Sequence, residues 1–495
     1  MKSWINRRMS RWPGRFCLAL MVAFGIGVLA ACDNVLQVDL PGQVTSKALY
    51  DPGQATILVN SAASLFECGF SDFVASDAAG FEDVMTRDTG WWGGRHEYDT
   101  DPPTGKCNTA DTGVGWWTPL QAARFMGEKT YDLMTNEWTT DEIQGDPNQL
   151  EAELAIYLGA DYELFGEYFC DMAFEGGKLM GPDEVLASAD DWLTKAIGHI
   201  NDAGGDFAIS GGVSSSAMEL AYLLRGRVRY ARGDESGAAA DFAQVEKGFV
   251  AYDTRDAGGE RTRWNKVYSS HNQEQINTVI PAVTWWEGPP NPWTGEAWPD
   301  TIPFTGYLNL GILPNGRAVA DDGVAITTDA EPTAVADTRV PVVDLGRKFN
   351  EHESWRQEKY PGLDADIPMA NWEDVWLLRA KMEGGATAVD LVNEIRDFHG
   401  LPEVSYVDPS DADQVRNMII EEQRRSLFLE GRFWATKIRE HLWFPRGVGH
   451  VEPPTTFGYR GGVRMVMPEN EYRLNDNFGL ADRGTMCAPN EAPVL

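Results

Sequence analysis

Positive charge is scarce in this chain. Lys and Arg number 42 against 75 Asp and Glu, a formal net charge of −33. Nucleic acid needs a basic footprint to neutralise its phosphates, so this balance excludes it as a partner. Histidine is scarce as well, with seven scattered along the chain and no pair at metal-ligand spacing. No HExxH or GxSxG occurs, and Gly105–Lys106 cannot close a phosphate loop because Thr100 stands where its first glycine belongs. No two cysteines have CxxC spacing, and the acidic stretch "DPSDADQ" (Asp408, Asp411, Asp413) lacks the glycine and distal glutamate of a calcium loop. It reads as a helix-capping turn. The sequence thus offers no catalytic residues, no cofactor and no metal site. Disorder is excluded too, because 43% apolar residues suffice for a core.

Long apolar runs are nearly absent. The exception is "FCLALMVAFGIGVLAA", Phe16 to Ala31, preceded by Lys2, Arg7, Arg8, Arg11 and Arg15. It is short for a membrane span and has the flanks of an export signal. It ends in "LAAC", and small residues before Cys32 resemble the lipobox of bacterial lipoproteins. The resemblance implies cleavage after Ala31 and acylation of Cys32, and several acyl chains anchor a protein stably. Residues 1–31 carry five positive charges and no negative ones, so their removal takes the net charge from −33 to −38. Cys68, Cys107, Cys170 and Cys487 then remain, an even number in an oxidising compartment, with three pairings open.

The rest reads as one domain, residues 32–495, mostly α. Helical apolar spacing recurs in "GQATILVNSAASLFECG", "NQLEAELAIYLGADYELFGEYF" and "VLASADDWLTKAIGHI". "WWTPLQAARFMGEKTYDLM" repeats it, with Trp117, Leu120, Phe125, Met126, Tyr131 and Met134 set for buried faces and Trp116 and Trp117 assigned to the core. "AMELAYLLRGRVRYARGDESGAAADFAQV" resembles a degenerate tetratricopeptide repeat. Tyr222, Gly226, Gly233, Ala238 and Phe242 fall at its spacings, whereas Arg229 and Val245 depart from it. Such repeats bury their faces by stacking. Helical repeats are expected over about 45–255 and 370–440. Between them, from about Gly258 to Ile367, Pro, Gly and Trp dominate and predict a long loop-rich region; the tail after Glu440 is again irregular.

"IIEEQRRSLFLEGRFWATKIR", Ile419 to Arg439, looks busy enough to be catalytic. The spacing argues otherwise. Glu421 faces Arg424 and Arg425, and Glu422 faces Arg425, as intrahelical ion pairs of a few tenths of a kcal/mol when exposed. Ser410 is expected to cap this helix and Gly431 to end it. A general acid/base pair needs carboxylates held apart across a cleft, which neighbours on one helix are not.

The same stretch resembles the SusD/RagB family of outer-membrane nutrient-binding lipoproteins. Glu421, Glu422, Arg424, Arg425, Glu430, Gly431, Arg432, Trp434 and Arg439 match a family segment; Ser426 and Ala435–Thr436 depart from it. "TAVADTRVPVVDL" with Asp337 and Arg339, "AVDLVNEIRDFHGLP" with Asn393, Ile395, Arg396, Gly400 and Leu401, and "MVMPENEYRLNDN" follow in family order. The resemblance implies a tetratricopeptide-like scaffold with a loop-rich ligand face. It implies no enzyme but a surface-exposed outer-membrane lipoprotein that hands an oligosaccharide or peptide to a SusC-like TonB-dependent transporter.

Sugars present flat C–H faces and rings of hydroxyls, which tryptophans and polar side chains match. Two stretches hold such residues: "TRDTGWWGGRHEYDTD", with Trp91, Trp92 and Arg95, and "WWEGPPNPWTGEAW", with Trp285, Trp286, Trp293 and Trp298. Loops on a rigid scaffold are where binding residues concentrate. Two other readings are an exported glycan-active enzyme, for which 75 acids make carboxylate pairs easy to find, and a repeat scaffold that binds only proteins.

Overall fold

The computed structural model describes residues 49–78, 115–274, 337–349, 352–404, 407–442, 463–489 and 491. Four two-residue strands complete it: Met85–Thr86, Thr278–Val279, Ala318–Val319 and Ile326–Thr327. The fold is mostly α. Helix α1 (Ala55–Phe73) buries Leu58, Val59, Ala62, Phe66, Phe70 and Phe73, the stripe its spacing predicts. The stretch Pro52–Ser76 is apolar enough to cross a membrane, yet 72% of its most apolar window is buried inside the protein, the mark of a core helix.

Helix α2 (Trp117–Asp132) follows, with Trp116 and Trp117 in the core as expected. Phe125 corrects the expectation: it is 52% exposed, because the buried face runs through Leu120, Ala123, Gly127 and Thr130. Helix α3 (Pro147–Tyr168) starts where Asp146 accepts from the Asn148 and Gln149 N–H groups, with proline at its first position. From Leu150 onward all its residues but Glu153 are buried. It packs against α1, α2, α4 (Pro182–Asp202) and α5 (Ala217–Ala231). Glycine permits the closest approaches. A methyl group on Gly159 would lie 2.4 Å from Leu193, and one on Gly226 would lie 2.4 Å from the Phe242 ring.

Gly226 and Phe242 belong to the repeat read from the sequence. Helix α5 turns at Gly233–Asp234 into α6 (Glu235–Phe242), and Asp234 caps α6 through the Gly237 N–H. Strand β1 (Val250–Asp253) then pairs antiparallel with β4 (Ile367–Asn371), next to α7 (Trp372–Glu383). Helices α8 (Gly385–Phe398), α9 (Ala412–Ser426) and α10 (Phe433–Glu440) complete the second helical stretch.

Four local expectations are corrected. The region read as loops contains an antiparallel hairpin, β2 (Val342–Phe349) with β3 (His352–Gln357). The cap of α9 is Asp411, which accepts from Asp413 and Gln414 N–H, while Ser410 donates to Asp408. Helix α9 ends at Ser426, not Gly431; Leu429 and Gly431 both adopt positive φ in the turn that follows. The tail carries a short helix, α11 (Glu469–Leu474). Of the pairings the sequence left open, Cys170–Cys487 is a disulfide across a sequence separation of 317. Cys68 is disulfide-bonded as well.

Candidate functional site

Trp91, Trp92, Arg95, Trp285, Trp286, Trp293 and Trp298 lie outside the described residues, as does Cys32. The structure does describe where their segments are rooted. The first segment leaves the scaffold at Ala78, after α1, and rejoins it at Gly115, before α2. The second leaves at Glu274 and returns at Asp337.

These roots share one platform at the C-terminal end of α1. The Gly115 N–H donates to Asp72 Oδ2 (3.4 Å), and the Lys266 N–H donates to Ser71 Oγ (3.2 Å). Asn265 caps the short helix Lys266–Tyr268 and also donates to the Ala365 carbonyl at 2.6 Å. Asn272 donates to the Gln357 carbonyl on β3 at 3.1 Å. Between the segments runs a short antiparallel ladder, Met85 opposite Val279 and Thr86 opposite Thr278. Two stretches nearly two hundred residues apart are thereby joined by backbone pairing at their bases. Gly431 closes the platform from below. Its φ is +74°, and a methyl group there would lie 2.9 Å from Val74 and 3.6 Å from Ala78. Its carbonyl accepts from the Tyr168 hydroxyl at 2.7 Å.

The return at Asp337 is held by charge. Asp337 and Arg339 pair with each other at 2.8 Å, and both are buried. Arg339 reaches Glu422 at 2.6 Å and donates to Ser426 Oγ at 3.1 Å. Arg425 reaches Asp337 at 2.9 Å, and Arg396 of α8 reaches Glu422 at 2.7 Å. Burial would raise the Glu422 carboxyl, but Arg339 and Arg396 hold it below its ordinary range. Asp337 is held well below the carboxylate range by Arg339 and Arg425, against the opposing effect of burial. Glu421 differs: burial pushes it up to about 7 in spite of Arg425 and Arg424.

Of the three intrahelical pairs read on α9, two are present: Glu421 meets Arg425 at 3.1 Å and Arg424 at 3.8 Å. Glu421, Glu422, Arg424 and Arg425 are all buried. Glu422 pairs with Arg339 and Arg396 in place of Arg425. Local spacing could not show this, because the partners lie 83 and 26 residues away.

A second lattice lies beneath the turn after α9. Lys359 pairs with Glu430 at 2.7 Å, and Asn371 donates to the other Glu430 oxygen at 2.6 Å. Burial pushes the Glu430 carboxyl up to about 7, with Lys359 opposing. Helix α3 contributes Glu163, paired with Arg227 at 2.8 Å, and Glu167, paired with Arg432 at 2.6 Å and Arg439 at 2.8 Å. Burial opposes ionisation of Glu167, yet Arg432 and Arg439 hold it down to about 2. The sequence reading missed Glu163 and Glu167 as functional scaffold residues. The available signal was two acids one turn apart among large apolar residues, in a helix that also carries Glu151, Glu153 and Asp161.

The carboxylates of these arrangements are tied to guanidinium and ammonium groups inside packed protein, which fixes the segments they join. The cavity between Phe66, Phe73, Glu163, Arg227 and Arg432 holds about one water and no sugar ring. Among the described residues no group of His, Cys, Asp and Glu side chains could hold a metal ion.

No protein-family profile matches this sequence, and no curated protein matches it. Solved structures do. A SusD superfamily protein from Bacteroides vulgatus aligns with a TM-score of 0.53 at 12% identity, over 86% of this chain and 99% of its own. A SusD-like protein from Bacteroides fragilis also gives 0.53, at 13% identity over 88% of this chain and 98% of its own. A SusD-like carbohydrate binding protein from B. vulgatus gives 0.51 at 13% identity, over 79% and 84%. At these identities the likeness establishes the architecture: this chain has the SusD-like fold.

Proposed function

We propose that this chain is a surface-exposed outer-membrane lipoprotein that binds an oligosaccharide, or a peptide, and delivers it to a SusC-like TonB-dependent transporter. Residues 1–31 act as the signal peptide, Cys32 carries the acyl anchor, and residues 32–495 form one binding domain. No bond is made or broken in its ligand. Trp91, Trp92, Arg95, Trp285, Trp286, Trp293 and Trp298 supply stacking faces and a hydrogen-bonding cation.

The observation that carries this reading is the likeness to a SusD-like carbohydrate binding protein along most of both chains. The common root of the two tryptophan-bearing segments supports it, because Met85–Thr86 of the first pairs with Thr278–Val279 of the second. The test is gentle solubilisation of native membranes followed by isolation of this protein. A TonB-dependent barrel in near-stoichiometric amount supports delivery to a transporter. Its absence, under conditions that keep other outer-membrane complexes whole, sinks that part. Turnover of a glycan by the pure protein would overturn the non-enzymatic reading.

A further inference from the structure

The tail lies against the C-terminal end of α3, and that same end supports the platform. The Met465 N–H donates to the Tyr168 carbonyl, and the Cys170 N–H donates to the Met465 carbonyl, both at 2.8 Å. Arg464 donates to the Glu167 carbonyl at 2.6 Å. Asp171 accepts from the Tyr472 hydroxyl and from the Gly484 N–H. The Asn475 and Asn477 amides donate to the Gly177 and Gly176 carbonyls at 3.1 Å and 2.7 Å. The Cys170–Cys487 disulfide closes this strap. Cys170 is fully buried, whereas Cys487 is partly exposed beside Met486.

Tyr168 links the strap to the platform. Its backbone carbonyl belongs to the strap, while its hydroxyl donates to the Gly431 carbonyl at 2.7 Å. Its ring lies 4.6 Å from the Trp434 ring and 5.0 Å from the Phe73 ring, and those two lie 6.0 Å apart. The Trp434 indole N–H donates back to the strap, at the Val463 carbonyl (3.0 Å). Phe73 leads into Val74 and Ala78, which border Gly431 and root the first tryptophan-bearing segment. Contacts therefore run without a break from the disulfide, through Tyr168, to the Gly431 turn and that root. Tyr168, Trp434 and Phe73 are all buried, and close-packed side chains transmit a displacement rather than absorb it.

We infer that the disulfide-bonded tail is a redox-sensitive brace for the platform: closed, it holds Tyr168 against the Gly431 turn, and open, it loosens that turn and the first root. Opening is thiol–disulfide exchange with an external dithiol. One thiolate of the reagent attacks the Cys487 sulfur, the S–S bond breaks, and Cys170 leaves as a thiolate that takes up a proton. The second thiol of the reagent then displaces Cys487 as a thiol, and the dithiol departs as a disulfide. The partial exposure of Cys487 gives the reagent its entry. The inference stands whether or not the platform carries a ligand.

The experiment is amide hydrogen exchange on the wild type and on the double variant Cys170→Ser, Cys487→Ser, each with and without dithiothreitol. Cys68 is also disulfide-bonded, so the effect of the reagent on the double variant measures that bond alone. In the wild type the reagent should quicken exchange in residues 463–489 and, by about tenfold, in 427–434 and 74–78. The double variant should show both changes without reagent. Tyr168→Phe keeps the ring and removes the hydroxyl link, so opening the bond there should still loosen 463–489 but add little at 427–434. Alkylation of released thiols with iodoacetamide shows which bond has opened, so the wild type carries the test if the double variant does not fold. Quickening confined to 463–489 overturns the inference. So does an equal rise across α1 to α4, which marks general destabilisation.

Discussion

Arg339 and Glu422 meet at 2.6 Å, both buried, and join the first residues after the second tryptophan-bearing segment to the middle of α9. The contact matters because Asp337, Arg425 and Arg396 complete it on every side. Such a lattice is costly to break from one side only, since the abandoned charge stays buried. Arg339→Ala and Glu422→Ala should each lower unfolding stability by about 3–5 kcal/mol in urea titrations. The double variant should lose clearly less than the sum. Strict additivity would mean that the pair is not coupled.

Removing the Cys170–Cys487 bond should loosen the tail before the rest of the protein. The bridge closes a loop of 317 residues and lies beside the Tyr472–Asp171 contact. Cys487→Ala should cost about 2–5 kcal/mol. Amide exchange should rise first in residues 463–489.

Gly226→Ala places a methyl group 2.4 Å from the Phe242 ring, so α5 and α6 must move apart. The expected loss is about 1–3 kcal/mol, seen as a lower melting temperature. The neighbouring change Gly233→Ala meets no atom within 4 Å but requires positive φ, 80° here, so its cost arises from backbone strain alone.

Stability should peak on the acid side of neutrality. Glu421 and Glu430 are raised to about 7, so each stabilises fully below about pH 4.5 and loses that contribution as pH rises through 7. Glu167, held down to about 2, acts in the opposite sense: its contribution is present above about pH 4.5 and vanishes as pH falls through 2. Denaturation midpoints measured across pH should therefore be highest near about pH 4.5, falling toward pH 7 on one side and toward pH 2 on the other. Glu421→Gln should flatten the alkaline slope.

Single replacement of Trp91, Trp92, Trp285, Trp286, Trp293 and Trp298 by Ala should reveal at least one position costing about 2 kcal/mol or more in glycan binding. The melting temperature should not move. Unchanged affinity in all six variants and in their combination would remove the site assignment.

How much of this was legible depends on the range of the signal. The helices α1 to α4 and the α5–α6 repeat follow from apolar periodicity, a local property that the fold did not override. The cap of α9 was misplaced by one residue because Ser410 and Asp411 are both competent, and only geometry chooses between them. The hairpin β2–β3 was hidden because "VVDLGRKF" and "HESWRQ" are charged and lack strict alternation. The burial of the α9 charges and their distant partners were out of reach for a deeper reason. Spacing within a helix reports which residues are neighbours on its surface, not whether that surface meets water. Asp337, Arg339 and Arg396 approach α9 from elsewhere in the chain, and no window on one helix contains them. The common root of the two tryptophan-bearing segments was beyond reach for the same reason, since it rests on a ladder of two residue pairs.

Helix α3 also bears on how the chain assembles as it is made from its N-terminus. Its turns can form early, but Glu163 waits for Arg227, and Glu167 waits for Arg432 and Arg439, the latter 272 residues on. Phe169 and Cys170 wait longer still, for Met465 and Cys487. Until those residues arrive, docking α3 would bury bare carboxylates, which opposes premature closure. Full pairing of the central helix thus draws on residues from nearly the whole length of the chain.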